Sequence, residues 1–69
     1  MKILFCERLL QLRKEKALTQ LDLAKILNTT QRRISYLEQG KVEPDLTTLV
    51  ALSQFFEVTT DYLIGIKDY

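Results

Sequence analysis

Residues 19–40, TQLDLAKILNTTQRRISYLEQG, contain two helix-like runs with only Asn28 and Thr29 between them. In the first run Leu23, Ala24 and Leu27 stand at i, i+1 and i+4 and share one face. Thr19 has the position of an N-cap, with Asp22 three residues on to reach back as a capping box. Thr30 can cap the second run, whose inward residues are Ile34 and Leu37 and whose end is Gly40. Asn28 tolerates the left-handed conformation that so tight a link requires. Helices this short are marginal in water by themselves. They must pack closely on each other, which the small Ala24 permits, and on further helices that bury what two cannot.

The rest of the chain supplies those helices. Two glycines, one proline and no strand-type alternation make it all-α. Steps from Phe5 to Leu9, Leu12 and Lys16 give a first helix from about Leu4 to Lys16, ending in the link Ala17-Leu18. Lys41-Val42-Glu43-Pro44 is a loop, since proline disfavours helix in the residue before it. Asp45 caps a fourth helix whose inner face is Leu46, Leu49, Leu52 and Phe56. Thr59 caps a last short helix through Leu63 or Ile64, and GIKDY is left as a frayed tail. The expectation is one compact five-helix, all-α domain over residues 1–69. Its helix-turn-helix lies at about 19–39, and helices at about 45–64 complete the core.

A chain of 69 residues has room for one core and buries only about 60% of its unfolded surface. One cysteine and no histidine exclude a disulfide within the chain and an ordinary zinc finger, and Cys6 reads as a small core residue. There is no phosphate-cradling glycine loop and no carboxylate cluster in metal-ligand order. No catalytic residue, metal or cofactor is therefore expected, and the chain does not read as an enzyme. MKILFCERLL is too short an apolar run for a signal peptide or a membrane span, so the cytoplasm is the expected compartment. Net charge is only +1, yet residues 1–41 carry nine Lys/Arg against four Asp/Glu, and residues 42–69 one against five. A basic N-terminal part facing a polyanion is one reading of that split, and solvated helix faces are the other.

TQLDLAKILNTTQRRISYLEQGKVEPDLTTL resembles the phage-repressor type of helix-turn-helix domain, the Cro/C1 or Xre family. The shared pattern is a TQ-x-x-LA start, a turn, I-S-x-x-E-x-G, a proline and L-x-x-L, and the likeness runs from Glu7-Arg8-Leu9 to Asp61-Tyr62-Leu63. Asn28 stands where the family commonly has glycine, Thr29 where a small apolar residue is usual, and Phe55 and Glu57 where a small residue and glycine are common. The resemblance implies a DNA-binding transcriptional regulator. It also implies a phosphate contact for Gln20, similar roles for Gln39 and Lys41, and an ion pair between Arg13 and Glu38 that sets the third helix against the first.

At about 100° per residue, an inward Ile34 and Leu37 put Arg32, Ser35, Tyr36 and Gln39 on the far side of the third helix, flanked by Gln31 and Arg33. A major groove admits one helix, and its base edges distinguish all four pairs; glutamine suits adenine and arginine suits guanine. Gln31 and Arg32, nearest the helix start, are the foremost base-reading candidates, followed by Tyr36 and Ser35. Arg33 at the flank and Thr30 at the cap are phosphate candidates beside Gln20, Gln39 and Lys41.

One reading helix covers too few base pairs for specificity against a genome, so a homodimer on a palindromic operator in double-stranded DNA is expected. Phe55, Tyr62, Ile64, Ile66 and Tyr69 are candidates for the dimer contact, with core filling the competing role for Tyr62 and Ile64. Repression needs only occupancy of a promoter, which favours a repressor over an activator. No small-molecule ligand and no membrane partner is evident. The competing readings are an antitoxin or anti-regulator whose main partner is another protein, and a restriction-modification controller.

Overall fold

The computed structural model describes residues 4–68. Among them it has five helices and no strand: α1 (Phe5–Glu15), α2 (Gln20–Ile26), α3 (Gln31–Gln39), α4 (Leu46–Phe56) and α5 (Thr60–Ile64). Tyr69, one of the candidate dimer contacts, lies outside the described residues.

Four helix starts share one chemistry. Thr19, Thr30, Asp45 and Thr59 each sit in extended backbone, and each side chain accepts from the amide three residues on, at Asp22, Arg33, Thr48 and Tyr62. At α2 the box is reciprocal, the Thr19 amide donating to Asp22 Oδ2 at 3.0 Å. Caps of this kind stabilise by about 0.5–2 kcal/mol each. They also hold two carboxyls below the ordinary aspartate range, Asp22 chiefly through the Thr19 amide and Asp45 chiefly through the Thr48 hydroxyl.

The helix ends share a device as well. A left-handed residue closes or follows every helix: Ala17 at φ 55°, Asn28 at 57°, Gly40 at 75°, Glu57 at 56° and Gly65 at 88°. The first four turn the chain so that the next helix can face the same centre, and Gly65 turns the segment after α5. Leu9, Leu23, Ile34, Leu37, Leu52 and Leu63 are fully buried there, and Phe5, Leu12, Ala24 and Phe56 complete a core to which all five helices contribute. α3 packs on both α1 and α2, so its inner face is gripped from two sides.

Two expectations are corrected. Leu46 is not on the inner face of α4 but 79% exposed. It lies six residues before the fully buried Leu52, which is about 120° round the helix, whereas Leu49 is only about 60° away and packs against the core. The tail is docked rather than frayed over residues 65–68. The amides of Ile66 and Lys67 donate to the Asp61 carbonyl at 2.9 and 3.3 Å. From α1, Arg8 Nη1 donates to the carbonyls of Tyr62 at 2.5 Å and Lys67 at 2.6 Å, and its guanidinium lies 4.1 Å over the Tyr62 ring. Gly65 packs so closely that a Cβ there would stand 3.0 Å from the Leu4 amide nitrogen.

Candidate nucleic-acid interface

Ile34 and Leu37, both at 0% exposure, fix the rotation of α3 and so decide what its outer face presents. Gln31 and Arg32 are exposed in its first turn, and their side chains make no hydrogen bond among the described residues. Tyr36 follows one turn later, 37% exposed, with Lys41 Nζ 5.4 Å from its ring centroid. Ser35 is half-buried, and its Oγ accepts from Gln39 Nε2 at 2.7 Å. The amide of Gln39 is thereby drawn back along the outer face, so Ser35 and Gln39 act as one polar pair.

The expected phosphate contacts divide by geometry. Lys41 is exposed in the loop beyond α3. The Thr30 hydroxyl oxygen is occupied by the Arg33 amide at 3.1 Å, which leaves its own hydrogen as the donor. Arg33 is turned aside toward α4, its Nη2 3.8 Å from Asp45 Oδ2. Both partners are partly or well exposed, at 36% and 65%, so this pair is weak and yields readily to another anion.

Behind α3 lies a buried polar cluster. Glu38 Oε2 accepts from Arg13 Nε at 2.5 Å, and Glu38 Oε1 accepts from Arg13 Nη2 at 3.1 Å and from Gln20 Nε2 at 3.0 Å. Arg13 Nη1 also donates to the Leu18 carbonyl at 2.7 Å. The Glu38 and Arg13 side chains are only 4% and 12% exposed. No buried side-chain nitrogen or oxygen among the described residues lacks a partner. The carboxylate thus joins α1, the start of α2 and the end of α3, and Arg13 ties in the link after α1. The participation of Gln20 has no sequence signal beyond its place in the first turn of α2.

The candidate dimer residues are distributed differently from a single patch. Phe55 is half-buried, its ring meeting Phe56 edge-on at 4.9 Å with Lys16 Nζ 5.7 Å above it. Tyr62 is covered by Arg8 and packs against the core. Ile64 is half-buried along a groove bounded by Phe5, Cys6, Pro44 and Leu49. Ile66 is 51% exposed at the edge of that groove. Leu46 and Val50, one turn apart on α4, are exposed to 79% and 49%.

Among the described residues, no group of three or more His, Cys, Asp or Glu side chains is placed to hold a metal ion, and no helix is long and apolar enough to cross a membrane.

Comparison with known proteins bears directly on this arrangement. A family profile described as Helix-turn-helix matches residues 9–63. The chain is 39% identical over 61 residues to YqaE of Bacillus subtilis, an uncharacterised HTH-type transcriptional regulator, spanning 88% of this chain and 53% of that one. It is 45% identical over 61 residues to the HTH-type transcriptional activator BcrR of Enterococcus faecalis, spanning 88% of this chain and 30% of that one. Among solved structures, the P22 c2 repressor protein in complex with a synthetic operator superposes with a TM-score of 0.84 at 30% identity, covering 91% of this chain and 96% of that one. The chain spans about half or less of the length of these two curated relatives.

Proposed function

The chain belongs to the Cro/C1-type helix-turn-helix family, and from that premise we propose that it is a DNA-binding transcriptional regulator that reads a double-stranded operator with α3 in the major groove. The carrying observation is the division of α3 by face. Ile34 and Leu37 are wholly buried, while Gln31, Arg32 and Tyr36 stand outward. In this reading Gln31 and Arg32 enter the groove first, with Tyr36 and the Ser35–Gln39 pair behind them. Gln20, Thr30 and Lys41 hold backbone phosphates, and Arg33 leaves Asp45 to join them. The likeness to a repressor that binds an operator supports the reading.

The regulator acts as a homodimer on a palindrome, from residues 1–69 as one domain, and represses by occupancy in the cytoplasm. The dimer contact draws on Ile66 and, beyond the residues expected from sequence, on Leu46 and Val50, since among the described residues these are the large apolar side chains left exposed away from α2 and α3. Phe55 and Tyr62 pack against the core of their own subunit, and Ile64, half-buried in the groove beside Ile66, adds to the dimer contact. A relative named as an activator makes the sign of regulation a question for a promoter assay.

Selection of bound sequences from random duplex DNA at two salt concentrations tests the proposal. A palindromic consensus, with affinity falling steeply as salt rises, is the expected result; no enrichment at low salt sinks it. Arg32→Ala should then lose about 1–3 kcal/mol at one base position only. A uniform loss on all sequences would reduce Arg32 to a phosphate grip.

A further inference from the structure

We propose that Glu38 is a positioning residue for DNA binding: its carboxylate fixes the Gln20 amide so that one N–H is already aimed at the DNA backbone before the complex forms. The inference rests on the proposed DNA-binding role and adds to it the residue that prepares one of its contacts.

The geometry is a relay. Arg13 holds Glu38 through two donors at 2.5 and 3.1 Å, and Glu38 Oε1 takes a further bond from Gln20 Nε2 at 3.0 Å. The Glu38 side chain is 4% exposed and that of Arg13 12%, so moving the carboxylate away from Arg13 and Gln20 breaks hydrogen bonds in a place that water reaches poorly. An ionised carboxylate only accepts hydrogen bonds. Gln20 must therefore present its nitrogen, never its oxygen, to Glu38. The amide nitrogen carries two hydrogens. One is used inward, and the second is the only side-chain donor that Gln20 has left for a phosphate oxygen. Gln20 stands in the first turn of α2 and is half-buried, so part of its side chain still meets solvent.

The consequence is an ordered contact group. A free glutamine on a surface must be immobilised when it binds, whereas this one is immobilised by the fold. Glu38→Gln keeps the size of the side chain but can offer either oxygen or nitrogen to Gln20, so the orientation is no longer dictated. Gln20→Ala removes the contact itself.

The test is a double-mutant cycle with the selected operator duplex and an unrelated duplex of equal length, at one low salt concentration. Each single variant is expected to weaken binding about two- to tenfold, on both duplexes alike because the contact is to the backbone. The double variant Glu38→Gln/Gln20→Ala is expected to lose no more than the larger single loss. Losses that multiply, or Gln20→Ala binding as wild type, overturn the relay while leaving the DNA-binding reading intact. Failure of the wild-type protein to bind either duplex overturns that reading and this inference with it. If Glu38→Gln does not fold, nitrogen relaxation of the Gln20 side-chain amide in the wild-type protein decides. Order matching the backbone supports the relay, and free rotation defeats it.

Discussion

Glu38→Ala should cost about 3–5 kcal/mol of stability, because it breaks a buried ion pair rather than replacing one. In the intact protein the carboxylate receives donors from Arg13 Nε, Arg13 Nη2 and Gln20 Nε2. Alanine leaves the guanidinium with only the Leu18 carbonyl at 2.7 Å, in a place where its side chain is 12% exposed. The flexible stem of Arg13 lets its head swing partly outward, which favours the lower end, about 3 kcal/mol. At 69 residues the whole domain should hold only about 3–10 kcal/mol, so the variant sits near the edge of folding. Its thermal midpoint should fall by roughly 12–24 °C. Urea denaturation followed by circular dichroism gives the free energy directly, with an unchanged m-value as the check that the folded state is intact. The double variant Arg13→Met/Glu38→Ala removes the stranded charge and should recover part of the loss. A loss below about 1 kcal/mol, the range of a loose surface bridge, would refute the reasoning. So would a double variant no more stable than the single one.

Three further outcomes follow from backbone geometry and titration. Glu57→Gly should raise stability by about 1 kcal/mol, read as a higher urea midpoint, because Glu57 stands at φ 56° where a Cβ is disfavoured and glycine is not. Gly65→Ala should destabilise more than Gly40→Ala in the same measurement. Both positions are left-handed, but the new Cβ meets the Leu4 nitrogen at 3.0 Å in the first case and Cys6 Sγ at an ordinary 3.8 Å in the second. Asp22 and Asp45 are held below their unfolded value near about 3.9, so the stability they contribute is present above that pH. It is lost as pH falls through their lowered folded values. Asp45→Asn keeps a capping oxygen but loses the ionised carboxylate, so it should lower the thermal midpoint slightly at pH 7 and flatten its decline as the pH falls below the ordinary aspartate range.

The helix starts are legible in the sequence because a cap needs a particular side chain at a particular offset, and Thr19, Thr30, Asp45 and Thr59 all sit at that offset. The helix ends are less so. Asn28 and Gly40 announce left-handed backbone by residue type, and Glu57 only by standing where glycine is common, but Ala17 at φ 55° gives no sign at all. Leu46 misleads because spacings of three residues from Leu49 and Leu52 look like one stripe, although each step drifts about 60° round the helix. In the candidate interface, the outward row of α3 follows from the phase of Ile34 and Leu37. The bond of Gln39 to Ser35 and that of Gln20 to Glu38 do not, since long amide side chains can choose among several partners and only the packed structure selects one. The docking of the tail is hidden for a further reason: Arg8 finds backbone carbonyls, which every residue has.

That Arg8 contact has a kinetic consequence. It joins positions separated by 59 residues, and closing a loop of that length costs about 3–4 kcal/mol of chain entropy that must be met before the bond can form. Its acceptors, the carbonyls of Tyr62 and Lys67, stand in place only after α5 and the turn beyond it have folded. A contact made so late adds little to the folding transition state and most of its strength to the barrier against opening. Arg8 is therefore expected to work as a latch on the finished structure: Arg8→Ala should speed unfolding in stopped-flow urea jumps and leave the folding rate nearly unchanged.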